Sequence, residues 1–150
     1  MHFFNTDSLS NQHIKLELEK ISEANPIKKW VPAYHFFICD ESDNRIGKCC
    51  LRIGDDKNIY YGGHIGYEID EQYRGHHYAA QACELLFSLA KKHEMSHVLI
   101  TCNPDNIASR KTCEYLNGIL IEIAELPKDN DMRILKGETE KCIFRFDLTK

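Results

Sequence analysis

The 150-residue sequence has no basic excess: 19 Lys and Arg stand against 23 Asp and Glu, for a formal net charge of −4. Binding a phosphate backbone calls for clustered cations, so nucleic acid is not an expected partner. No apolar run approaches the roughly 18 residues that a membrane span needs. Met1 to Asp7 also lacks a basic segment followed by a continuous apolar stretch. The expectation is therefore a cytoplasmic protein with no membrane partner. No two of the seven cysteines have CxxC spacing, and several lie in apolar runs such as Ala82-Cys83 and Thr101-Cys102. An odd number so placed reads as reduced, buried thiols. The Cys and His spacings match no zinc site either, and the adjacent His76-His77 pair is poorly placed to converge on one ion, so no metal is expected. Internal repeats, low-complexity tracts and linkers are missing too. That leaves one domain spanning residues 1–150, of ordinary globular composition at 43% hydrophobic and 28% charged.

What is present begins with strand patterning. Ile14 to Lys20 alternates apolar and charged residues, Ala24-Asn25-Pro26 stops it, and a loop carrying Trp30 and Pro32 follows. Tyr34–Cys39 and Arg45–Ile53 read as a hairpin around Glu41 to Asn44. A further strand is expected from about Ile59 to Asp70, with Gly62-Gly63 marking a bulge or a close backbone approach. The period then becomes helical from Tyr78 to His93, where Ala79, Cys83, Leu86 and Ala90 recur on one face. A short apolar strand, His97 to Cys102, leads through Asn103-Pro104-Asp105-Asn106 into a second helix, roughly Ile107 to Leu116, closed by Asn117-Gly118. Ile119 to Leu126 reads as a strand, Asp129 to Asp131 as an acidic loop, and Cys142 to Leu148 as the last strand. Strands first, then helix, strand, helix, strand, strand describe an α/β (α+β) fold with a mixed sheet and helices on its faces.

Two segments carry chemistry. In Gly66-Tyr-Glu-Ile-Asp-Glu-Gln-Tyr-Arg74-Gly75-His76-His77-Tyr78-Ala79 a strand ends in a tight loop that opens directly into a helix. The first N–H groups of such a helix have no internal partner and sit at the positive dipole end, a ready cradle for a diphosphate. A plain strand–helix turn satisfied by Gly75 explains the same residues. In Asn103-Pro-Asp-Asn106-Ile-Ala-Ser109 the amides can bind an amide-rich ligand, or Asn106 can simply cap the helix.

Together, with a strand between them, the segments resemble the GNAT superfamily of N-acetyltransferases. Arg74 to Ala79 is similar to the family's phosphate motif, Arg/Gln-x-x-Gly-x-Gly/Ala, and Asn103 to Gly118 to its later Asn-x-x-Asn-x-x-Ser motif and helix. The resemblance covers about Ile59 to Ile121. It implies acetyl-CoA as co-substrate, with no metal, and a small-molecule or peptide amine as acceptor; a homodimer is compatible with it. The implied coenzyme contacts are Ile69, Arg74, Gly75, His76, His77, Tyr78, Ala79, Asn103, Asn106 and Ser109, with pantetheine lying between the strands that end at Ile69 and Cys102. Two departures stand out. His77 occupies a usual Gly of the motif, and the short Asn25–Pro32 loop leaves no room for the two helices that relatives place between their first strands.

Direct attack of an amine on a thioester needs a base, donors for the developing oxyanion and an acid for the leaving thiolate. His64 and Glu68 lie four apart, so strand alternation gives them one face, and the resemblance puts His64 near a usual glutamate base. Cys113 matches the position of a usual tyrosine acid. A coenzyme A-binding or sensing module without turnover fits the same residues, as does a nucleotide-binding α/β domain. The latter lacks the Gly-x-x-x-x-Gly-Lys-Ser/Thr loop.

Overall fold

The computed structural model describes residues 2–148. Its elements are β1 (Ile14–Ser22), β2 (Ala33–Asp40), β3 (Arg45–Arg52), α1 (Lys57–Gly62), β4 (Ile65–Ile69), a 3-10 turn (Glu71–Tyr73), α2 (Tyr78–Lys92), β5 (His97–Cys102), α3 (Ile107–Tyr115), β6 (Ile119–Glu125), α4 (Asp131–Lys136) and β7 (Glu140–Asp147). The α/β architecture is as expected, but the strands form two antiparallel sheets: β1-β2-β3-β4 and β5-β7-β6. β4 and β5 are the edges that meet. The chain just before β4 is tied to β5 where the His64 N–H donates to the Leu99 carbonyl.

Alternation builds the first core layer. Tyr34, Phe36 and Ile38 of β2 and Leu51 of β3 turn inward and are fully buried. α2 covers them with Leu86 and Leu89, also fully buried, each stabilising the fold by about 1.5–3 kcal/mol. Lys91 and Lys92 complement the dipole at the C-terminal end of α2. Near that end the Tyr34 hydroxyl accepts the Phe4 N–H and lies 2.6 Å from His93 Nε2, tying the N-terminal segment to the helix.

Three expectations change. The strand foreseen from Ile59 to Asp70 is a helix followed by a short strand. The Asp56 carboxylate accepts the Ile59 N–H and starts α1, and Gly63 at φ +83° stops it. The glycine pair marks a close approach and no bulge: a Cβ on Gly63 would lie 3.1 Å from the Leu99 carbonyl oxygen and 3.2 Å from the Thr101 nitrogen. The acidic loop opens into α4, because Asn130 caps it by accepting the Met132 N–H. Finally, β1 runs on to Ser22 and β7 begins at Glu140. Between β1 and β2 there is only a turn closed by an Asn25–Trp30 bridge, as the loop length required.

Candidate active site

The first feature is the N-terminus of α2. α1, α3 and α4 are capped by the side chains of Asp56, Asn106 and Asn130, whereas α2 has no side-chain cap and no acidic residue in its first turn. Gly75 at φ +89° and His77 at φ +61° turn the chain so that the loop enters the helix directly. The N–H groups of Gly75, His76, His77, Tyr78, Ala79 and Ala80 have no acceptor among the described residues. A Cβ on Gly75 would meet nothing within 4 Å, so its role is the left-handed backbone. His77 holds the same region without glycine's freedom. Its ring stacks on Tyr115 of α3, with centroids 4.2 Å apart and planes 14° from parallel. Arg74 Nε donates to the Ile69 carbonyl at 2.9 Å, folding the guanidinium back over the end of β4.

The second feature is the gap between the sheets. Arg52 N–H bonds the His64 carbonyl and Asp70 N–H bonds the Ile46 carbonyl. In an antiparallel ladder bonding alternates, so Gly66 and Glu68 bond to β3 while Ile65, Tyr67 and Ile69 direct their N–H and C=O groups towards β5. The edge that faces β5 is therefore that of Ile65, Tyr67 and Ile69, and the backbone of Glu68 takes no part in it.

Tyr67 spans the gap, its hydroxyl 2.6 Å from Ser109 Oγ at the start of α3. Burial pushes the Tyr67 hydroxyl and the Cys113 thiol up, the latter to about 12, so both stay protonated at neutral pH. Cys113 is wholly buried. Tyr67 was missed from the sequence, although it stands inside the Gly66-Tyr-Glu-Ile segment. The signal was its alternation with Glu68, which points it at the helices.

The later motif is brought together at the start of α3 but is largely engaged within the protein. Asn106 Oδ1 accepts the Ser109 N–H, the plain capping role. Asn103 Nδ2 donates to Glu138 at 2.8 Å, while its buried Oδ1 has no partner among the described residues. Glu138 also meets Lys141 at 3.1 Å.

His64, expected as a base, is enclosed by the protein. It lies one residue before β4 and is 1% exposed. Its Nδ1 accepts the Leu99 N–H at 2.9 Å, and its Nε2 is 2.8 Å from the Gly54 carbonyl. Those partners fix the neutral Nε2–H tautomer and leave no lone pair for an ammonium proton. Burial, first, holds its pKa below the usual histidine range. Glu68 remains, an exposed residue of β4 opposite Lys48 of β3.

A groove of about 780 Å³ opens where the sheets meet, floored by Gly63 and Thr101 and walled by the β1–β2 turn, α1 and the loop through α4. Among the described residues there is no group of three or more His, Cys, Asp or Glu that could hold a metal, and no helix is long and apolar enough to cross a membrane.

Comparison with solved structures finds the same fold. An apo structure of RimL, a ribosomal L7/L12 alpha-N-protein acetyltransferase, superposes with a TM-score of 0.60 at 19% identity, over 77% of this chain and 70% of that one. The ribosomal-protein-S5-alanine acetyltransferase from Vibrio fischeri gives 0.61 at 18% identity, over 79% and 63%. The microcin C7 self-immunity acetyltransferase MccE, in complex with acetyl-CoA and AMP, gives 0.60 at 19%, over 77% and 61%. The chain thus spans between 61% and 70% of the length of these three proteins. No curated protein matches it in sequence. Residues 1–117, most of the chain, match the model of the acetyltransferase (GNAT) domain, and the chain belongs to that family.

Proposed function

We propose that the protein transfers the acetyl group of acetyl-CoA to a primary amine by direct attack. The observation that carries this is the row of unpaired N–H groups from Gly75 to Ala80 at the uncapped start of α2. It fits a diphosphate, because amide donors and the helix dipole both favour an anion there. The backbone of Tyr67 and the N–H of Ile69 fit the amides of a pantetheine arm, and Arg74, bonded to the Ile69 carbonyl, lies beside them. Asn103, Asn106 and Ser109 stand across the gap, where Asn106 caps α3, Asn103 bonds Glu138 and Ser109 meets the Tyr67 hydroxyl.

When bound, the co-substrate supplies the activated acyl thioester. The chain's own residues position the amine and handle protons. Glu68 and Tyr67 are adjacent on β4 and therefore project from opposite faces. Glu68 accepts the proton of the incoming ammonium on the open face. On the helical face the Tyr67 hydroxyl, oriented by Ser109, donates to the departing sulfur. Cys113 sits behind Tyr67 and acts through it as a packing and positioning residue. The neighbouring structures support an amine acceptor: one is an alpha-N-protein acetyltransferase and another a ribosomal-protein-S5-alanine acetyltransferase.

Thermal shift tests the binding step. Acetyl-CoA at a hundredfold its Kd adds about 2.7 kcal/mol to the native state, while ATP and NAD should add little. Thiol release on a panel of amines and peptide N-termini then tests transfer. A coenzyme shift without release on any amine would favour the alternative, a coenzyme A-binding module that does not turn over. No coenzyme shift would end the transferase reading.

A further inference from the structure

The groove beside the sheet junction has the opposite charge balance to the chain. Lys and Arg are outnumbered in the whole sequence, 19 to 23, yet seven of them line the groove against three Asp. Two of those aspartates are already engaged: Asp56 caps α1, and Asp129 lies 4.0 Å from Lys57. Lys20, Lys28, Lys29, Arg52 and Lys136 have no carboxylate within 4 Å among the described residues. They come from separate elements: β1, the β1–β2 turn, β3 and α4.

Register places part of this set on the same face as Glu68. Lys20 is opposite His35, His35 opposite Cys50, and Lys48 opposite Glu68. Lys48, Cys50 and Arg52 alternate onto one side of β3. Arg52 is held at the junction, where Nη1 donates to the Gly63 carbonyl at 3.1 Å. The positive field is felt by His35, whose pKa is lowered by burial first and then by Lys20 and Arg52. Beside them Trp30 is 54% exposed, with Lys28 Nζ 4.5 Å above its ring.

We infer that the groove receives the N-terminal segment of an acidic peptide, whose amine is the acceptor and whose carboxylates are held by Lys20, Lys28 and Arg52. This rests on the transferase reading above. Unpaired cations repel a polyamine or an aminoglycoside, so the small cationic amines are disfavoured. Cations spread over several elements around the groove suit an extended chain of carboxylates better than one compact anion. Nucleic acid also carries anions, but it offers no aliphatic amine to acylate, and the net charge of −4 opposes a long polyanion.

The probe is a hexapeptide of Asp and Glu with a free N-terminus and a fluorophore at its C-terminus. It is compared by anisotropy with its Asn/Gln and Lys counterparts and a single-stranded oligonucleotide, with and without coenzyme A. The acidic peptide should bind at least about tenfold tighter than the neutral one, and lose that margin between about 0.05 and 0.5 M salt as the Debye length shrinks. Lys20→Glu with Lys28→Glu, both at exposed positions, should weaken it about tenfold or more; Arg52→Gln provides an independent check. The coenzyme-induced thermal shift should be the same in all variants. Equal binding of the neutral peptide, tighter binding of the Lys peptide or the oligonucleotide, or an unchanged Kd in the double variant would overturn the inference alone. A missing coenzyme shift in the unsubstituted protein would overturn the transferase reading and the inference with it.

Discussion

Replacing His77 by Gly and by Ala separates what its backbone does from what its ring does. His77 has φ +61° and ψ +23° at the start of α2. A residue with a Cβ pays about 1–2 kcal/mol for left-handed geometry, whereas glycine's greater unfolded-state freedom costs about 0.5–1 kcal/mol. Both variants lose the stack on Tyr115, so their difference reports the backbone alone. The glycine variant should be more stable by roughly 0.5–1 kcal/mol, or about 1–4 °C in Tm for a chain of this size. Relative to the unsubstituted protein, the alanine variant keeps the strain and loses a stack worth about 0.5–1.5 kcal/mol. The low end applies, because Tyr115 is 57% exposed. Urea unfolding measures both differences. The acetyl-CoA thermal shift should survive in both, since the donors there are backbone N–H groups. An alanine variant as stable as the glycine variant would refute the left-handed assignment, and with it this account of how the loop aims its donors.

The other predictions concern the junction and the base. His64→Asn should destabilise by about 2–4 kcal/mol in urea unfolding, as expected for a buried group that loses two hydrogen bonds. His64 is held neutral in the fold, so its folded pKa lies below its unfolded value near 6.5. The unfolded chain then takes the extra proton, and stability is retained above about pH 6.5 and lost as pH falls through the folded pKa. His35 and His93 are lowered by burial as well, so the Asn variant should flatten only part of that acid slope. Glu68→Gln should lower kcat by about 10²- to 10⁴-fold in a thiol-release assay while the coenzyme shift persists; an unchanged kcat and pH profile would remove Glu68 as base. Gly63→Ala should cost about 1–2 kcal/mol for the backbone alone and more for its contacts with β5, seen as a lower Tm. An unaltered Tm would mean the two strands do not approach as described.

The uncapped start of α2 was legible in the sequence because it depends on local features. A strand end, a Gly at position 75 and a helix start within a few residues make a donor cluster whatever surrounds them. The helical period of α2 was equally plain. What escaped was decided by distant partners. His64 looked like a strand residue with a free imidazole, because nothing nearby in sequence shows that Gly54 and Leu99 will occupy both nitrogens. α1 was hidden because Ile59-Tyr60-Tyr61 suits a strand as well as a helix, and the arbiter was the carboxylate of Asp56 reaching the Ile59 N–H. The break into two sheets could not be read from strand patterning either, since β4 and β5 each look like any apolar strand. Only the pairings show that their facing edges stay apart.

The turn between β1 and β2 and the loop through α4 lie apart from the layer formed by α2 and the first sheet. Ile27, Trp30, Ile134 and Leu135 on them are exposed, so their side chains contribute little to folding. Replacing residues there trades one surface for another at small thermodynamic cost, whereas altering the loop before α2 disturbs a strained backbone. On the transferase reading, a change of acceptor would therefore leave the turn that cradles the coenzyme intact.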